Sequence, residues 1–153
     1  QSTMQTGGKM YDKIVVGTDG SPTALKAVSH AATLAAATGA NLHIAMVTPS
    51  IPVVVAPDML LASAEWSDAT KQATHAALES AAEAAAAAGA ETTTHQLSGD
   101  PADALLSLCD DIDADLLVVG SRGMHGARRF LLGSVSSRCA HHANRSVLIV
   151  HTD

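Results

Sequence analysis

Five short apolar runs are spaced along the chain, and between them apolar residues recur at helical intervals. Ile14-Val15-Val16 is apolar on successive residues, the mark of a strand buried on both faces, and it ends on Gly17. Gly20-Ser21-Pro22 then predicts a turn and a helix start, with Ser21 as N-cap and Pro22 at the first helical position. That helix carries Leu25, Val28 and Ala32 and is expected to stop near Gly39. Leu42 to Val47 predicts a second strand, closed by Pro49, and Ser50 to Asp58, with Pro52 and Pro57, reads as a loop. A long alanine-rich helix is expected from Leu60 to Ala88, with Gly89 as its C-cap. Thr92 to Leu97 reads as a third strand. Asp100-Pro101 opens another helix, with Asp100 as N-cap and Leu105 and Leu108 turned inward. Leu116 to Val119 is a fourth strand closing on Gly120, and a glycine-bearing loop runs to Gly133. A last helix, Ser134 to about Ala143, precedes a fifth strand, Val147 to Val150.

Five strands alternating with four helices predict an α/β fold, a five-stranded parallel sheet with helices on both faces. With 153 residues, the chain suits one domain and can bury roughly two-thirds of its unfolded surface. The polar stretch 1–10 is expected to be a disordered or tag-derived segment, leaving 11–153 as the domain. Hydrophobic residues make up 47% and charged residues 16%, which opposes disorder. A net charge of −6 argues against a general nucleic-acid binder, and three aromatic residues cannot form a base-stacking platform. No apolar stretch reaches the ~20 residues of a membrane span, and no signal peptide opens the chain, so a soluble cytoplasmic protein is expected.

The residues with chemical potential gather after strands one and four. Thr18 and Asp19 follow strand one; Gly120-Ser121-Arg122-Gly123 follows strand four, and Gly133-Ser134-Val135-Ser136 comes nine residues later. In open α/β sheets, ligands lie beyond the carboxyl ends of the strands, where the strand order reverses. If both groups serve one ligand, strands one and four are neighbours and the order is 3-2-1-4-5. The physical content is a phosphate site. Gly120 and Gly123 let backbone amides approach an anion. Gly133 precedes a helix N-terminus, with its amide donors and partial positive charge, and Ser134 and Ser136 add hydroxyls. Asp19 could bind a cation carried by phosphates. Arg122, His125, Arg128 and Arg129 form a small basic cluster in an acidic chain. There is no P-loop and no Gly-x-Gly-x-x-Gly after strand one.

The spacing Gly-x2-Gly-x9-Gly-Ser resembles the universal stress protein family, in its ATP-binding branch. The likeness runs from Tyr11-Asp12-Lys13-Ile14-Val15-Val16-Gly17-Thr18-Asp19-Gly20-Ser21 through Gly99-Asp100-Pro101 and Asp113-Ala114-Asp115-Leu116 to Val147-Leu148-Ile149-Val150. It implies a Rossmann-like adenine nucleotide-binding fold and a regulatory protein of the stress response that binds ATP, or AMP or ADP, with Mg2+ or Mn2+. By position, Gly120, Arg122, Gly123, Gly133, Ser134, Val135 and Ser136 would line the phosphate and ribose site. Gly17, Thr18 and Asp19 would form the strand-one tip, with Asp19 near the metal. Val47 would pack or hydrogen-bond at adenine. The resemblance further implies a homodimer through the Val147–Val150 strand.

Other readings compete. A slow ATPase or self-phosphorylating enzyme would use Asp19 and a divalent cation, but no convincing water-positioning base stands out. A cyclic AMP or AMP sensor would use the same cleft with fewer phosphate contacts. His141 and His142 are adjacent on a helix and diverge, so they make a poor metal pair. His43, His95 and His151 fit satisfied core or surface groups. Cys109 and Cys139 read as small buried hydrophobes. The phosphate-loop assignment predicts that Gly123→Glu abolishes nucleotide binding and leaves the circular dichroism spectrum unchanged. Normal ATP affinity in that variant would overturn the assignment.

Overall fold

The computed structural model describes residues 10–48, 57–121 and 133–151, with 57–67 as backbone alone. The readings of 1–9, of 50–56 and of Arg122, Gly123, His125, Arg128 and Arg129 lie outside the described residues. The elements run β1 (Lys13–Thr18), α1 (Pro22–Thr38), β2 (Asn41–Thr48), α2 (Pro57–Ala87), β3 (Glu91–Ser98), α3 (Pro101–Ile112), β4 (Leu116–Gly120), α4 (Ser134–His142) and β5 (Ser146–Val150). The sheet is parallel throughout, in the order β3-β2-β1-β4-β5, as the clustering of candidate residues after β1 and β4 required. One boundary differs from expectation. Helix α2 begins at Pro57, inside the span read as loop, because proline suits a first helical turn and lacks only an amide that would have no partner there.

Alternation along each strand builds two cores. Ile14, Val16, Leu42, Ile44, Leu116 and Val118 face α1 and α2, where they pack with Val28, Ala31, Ala32, Leu78 and Ala81. Val15, Ala45, Leu117 and Val119 face the other side, with Leu105, Leu108 and Cys109 of α3 and Cys139 of α4. Ile14, Val15 and Val16 are all fully buried, and each such side chain stabilises the fold by about 1.5–3 kcal/mol. This explains the uninterrupted apolar run. Both cysteines are buried and free, and burial pushes each thiol up to about 11, so neither is a thiolate at neutral pH.

Caps fix the helix ends. Ser21 accepts a hydrogen bond from the Ala24 amide at 3.2 Å, and Asp100 accepts one from the Asp103 amide at 3.0 Å. Gly39 ends α1 in the left-handed conformation, with φ at 75°. At the amino ends of the strands, Asp115 Oδ2 accepts from the amides of Asp12 (2.7 Å) and Lys13 (2.9 Å), pinning the start of β1 to β4. Arg145 reaches from the start of β5 to the Ala114 carbonyl and to Asp110 Oδ1, the latter at 2.6 Å.

The two sheet edges differ. Strand β3 is largely polar and exposed, whereas β5 presents Val147, Leu148 and Ile149, each half-buried. On β2 and β3, His43 Nδ1 and His95 Nε2 lie 2.9 Å apart, with ring centroids at 5.1 Å. The centroid separation is close to the nitrogen distance plus one ring radius on each side, so the nitrogens point at one another and share a single proton. Both imidazoles are held below their ordinary 6.5 by burial, and His43 also by His95 and Lys13. A lowered value means that the unfolded chain takes up protons that the folded one resists. The stabilising contribution is therefore complete above 6.5 and is lost as pH falls through and below it. The urea midpoint of the wild type should drop between about pH 7.5 and about pH 5.5. The drop should be smaller in the His43→Gln/His95→Gln double variant; equal drops would refute the assignment.

Candidate functional site

The ladder between β1 and β4 ends at the Val16↔Val118 pair. The flanking ladders continue for two more residues, β1–β2 to Thr18↔Met46 and β4–β5 to Gly120↔Val150. The two central strands therefore part beyond Val16 and Val118. Because α1 packs on one face and α4 on the other, no helix among the described residues follows both strands over this opening. Gly17–Asp19 forms one lip and Gly120–Ser121 the other.

On the first lip, each side chain has a local task. Thr18 is buried, and its Oγ1 accepts from the Gly20 amide at 3.1 Å. Asp19 Oδ1 accepts from the Ser21 amide at 2.9 Å. These bonds shape a tight turn in which Gly20 takes a φ of 81°, with Met46 Cε and Ala77 Cβ close against it. Asp19 is half-buried and holds the turn that follows β1.

The second lip is tied to the start of α4. The Ser121 amide donates to the Val150 carbonyl at 2.8 Å, and the Ser121 carbonyl accepts from the Gly133 amide at 2.7 Å. Ser136 donates from Oγ to the carbonyls of Ser121 and Gly133, both at 3.1 Å. Unlike α1 and α3, helix α4 has a glycine N-cap and no side-chain cap. Ser134 is exposed at its first position, Val135 is half-buried against the α3–α4 core, and Ser136 is buried. Such a helix end presents amide donors and a partial positive charge.

The fold thus brings Gly17, Thr18, Asp19, Gly120, Gly133, Ser134, Val135 and Ser136 to the carboxyl end of the two central strands. Val47 stands one strand further out, at the end of β2, paired with Leu97 and packed against the α3-side core. Arg122 and Gly123 lie outside the described residues. Two contacts at the site escaped the sequence reading, which named Gly17 only as part of the strand-one tip. Arg138 joins α4 to the cap of α3, at 2.8 Å from Asp100 Oδ2 and 2.9 Å from Asp103 Oδ1. Gly17 lies beneath α3, where a Cβ would sit 2.7 Å from Leu105 Cδ1. The spacing of Arg138 four residues after Ser134 placed both on one helix face, but nothing local named the partner across α3. Among the described residues, no group of three or more histidine, cysteine, aspartate or glutamate side chains could hold a metal ion. None of the helices among them is long and apolar enough to cross a membrane.

Residues 10–151 match the profile of the universal stress protein family. The chain belongs to this family. A universal stress protein of Methanocaldococcus jannaschii is 34% identical over 152 residues, covering 97% of this chain and 87% of its own. One from Mycobacterium tuberculosis is 36% identical over 148 residues, covering 93% and 97%. A crystal structure of a universal stress protein in complex with cAMP is 38% identical, covers 94% of this chain and 98% of its own, and superposes with a TM-score of 0.73. The UspA protein of Lactobacillus plantarum, 24% identical, covers 92% and 97% and shares the fold with a TM-score of 0.81.

In this universal stress protein, the absence of a side chain at residue 17 is what lets Leu105 settle on β1. Gly17→Val should lower stability by about 1–3 kcal/mol through overpacking, read as a reduced urea midpoint. An unchanged midpoint would show that Leu105 moves aside freely.

Proposed function

We propose that this universal stress protein binds an adenine nucleotide, ATP in the first instance, in the opening between β1 and β4, and acts as a regulatory module. The observation that carries the reading is the parting of these strands beside a glycine-capped helix pinned to the β4 tip. A helix end of this kind favours phosphate through its amides and dipole. The solved relative in complex with cAMP, at 38% identity, supports an adenine nucleotide as the ligand class. Gly120, Gly133 and Ser134, with Arg122 and Gly123, would hold phosphate and ribose, and Val135 would line the same wall. Thr18 and Asp19 would bound the opposite lip over Gly17, and Val47 would flank adenine.

The donor set fits a cation that arrives with the nucleotide. Asp19 is the carboxylate at the rim, and one of its oxygens already accepts the Ser21 amide. Mg2+ is commonly held by one or two carboxylates together with substrate phosphates, and Mn2+ suits the same oxygen donors. When bound, it would neutralise phosphate charge; Asp19 would orient it from the β1 side. The reading extends to a cytoplasmic homodimer that pairs the apolar β5 edges, because an open apolar edge otherwise invites aggregation, while the polar β3 edge does not. The net charge of −6 disfavours nucleic acid as a partner.

The cAMP-bound relative also favours a second reading, a cyclic AMP sensor that uses the same opening with fewer phosphate contacts. Calorimetric titration of nucleotide-stripped protein separates the two. Saturable binding of about one ATP per chain with magnesium, tighter than cyclic AMP, is the expected result. Tighter cyclic AMP would replace ATP as ligand, steady phosphate release would move the protein to the slow-ATPase reading, and no binding of either at millimolar concentration would overturn the nucleotide assignment.

A further inference from the structure

We infer that Ser136 is a positioning residue for the phosphate-binding end of α4 and does not itself touch the ligand. The inference rests on the proposed nucleotide reading and departs from it at this one residue, which motif position alone would class with Ser134 as a phosphate hydroxyl.

Three observations separate the two serines. Ser136 is only 1% exposed, whereas Ser134 is exposed at the first position of the same helix. The Ser136 hydroxyl has one proton, and its two partners among the described residues, the oxygens of Ser121 and Gly133 at 3.1 Å, are carbonyls that can only accept. Its proton is therefore committed inward and is not available to an anion. Finally, the two carbonyls sit at the critical joint. Ser121 follows β4 directly and Gly133 is the N-cap of α4, already joined by the 2.7 Å bond between the Gly133 amide and the Ser121 carbonyl.

The consequence is geometric. Ser121 is itself fastened to β5 through the Val150 carbonyl, so the chain Val150–Ser121–Ser136 references the first turn of α4 to the sheet. Gly133 has an extended backbone, with φ −65° and ψ 165°, and offers no side chain to stiffen the cap. The hydroxyl bridging Ser121 and Gly133 supplies the stiffness that a serine or aspartate cap gives to α1 and α3. Without it, the cap keeps the Gly133–Ser121 bond but loses the second tie to the β4 tip, and the alignment of the first amides of α4 is less tightly fixed. A phosphate feels that loss because amide donors act only when aligned. A ligand moiety held elsewhere does not.

The test is titration calorimetry on the full chain with ATP and magnesium, cyclic AMP, and adenine, for wild type, Ser136→Ala and Ser136→Thr. The positioning role predicts that Ser136→Ala weakens ATP and cyclic AMP by about tenfold, the worth of one well-placed hydrogen bond, while adenine binding is unchanged. Ser136→Thr, which restores a hydroxyl at the same place, should recover most of the loss. Unaltered ATP and cyclic AMP affinity in Ser136→Ala would overturn the inference. So would an equal loss for all three ligands, unfolding of the variant included, since that marks a general structural role. A wild type that binds none of the three would instead remove the nucleotide reading, a result distinct from either.

Discussion

The reversal of strand order between β1 and β4 is the constraint from which the rest of the architecture follows. Both strands are buried on both faces, so each must be covered by helices on either side. The chain leaves β1 into α1 on one face and approaches β5 through α4 on the other. Neighbouring strands thus send their successors in opposite directions, and among the described residues no helix covers the space above the seam. The early end of the β1–β4 ladder at Val16↔Val118 is the same fact seen in hydrogen bonds. Short polar side chains and glycines collect there because the backbone must turn tightly without filling the opening.

Those residues divide their duties more finely than their types suggest. Thr18 and Asp19 are spent on shaping the turn into α1, and Ser21 on capping it. Ser136 ties Gly133 to Ser121, so that the uncapped amide end of α4 is held by the sheet and not by its own first residue. At the opposite end of the strands, Asp115 and Arg145 fasten the starts of β1 and β5 to the β4 approach. Among the described residues the strands thus part above the seam and are clamped below it. That asymmetry lets a rigid sheet present a cleft without a compensating void in its core. Arg138 adds an exposed bridge between α4 and the α3 cap, a contact that typically contributes up to about 1 kcal/mol and so orients more than it stabilises.

The sheet edges carry a second division. Threonine, glutamine and glutamate along β3 present a polar margin, and the His43–His95 proton-sharing pair lies just inside it. The β5 margin is apolar where it meets solvent.

Much of this was readable from local chemistry. Apolar runs at Ile14-Val15-Val16 and Leu117-Val118-Val119 mark doubly buried strands because burial on both faces removes the need for alternation. Ser21-Pro22 and Asp100-Pro101 mark helix starts because caps act within three residues. The order 3-2-1-4-5 followed from requiring two distant clusters to share a ligand. What tertiary structure alone decided are contacts between segments far apart in sequence. Gly17 abuts Leu105, Asp115 holds the amides of β1, and His43 meets His95 only through the register of β2 against β3. The direction of a hydroxyl is likewise invisible in a motif. Ser134 and Ser136 are equal as letters, yet the roughly 200° that two residues turn along a helix exposes the first and buries the second. Sequence sets which groups are present and where the chain turns, because those depend on neighbours a few bonds away. Packing sets which way each group faces, because that depends on surfaces that do not exist until the strands have paired.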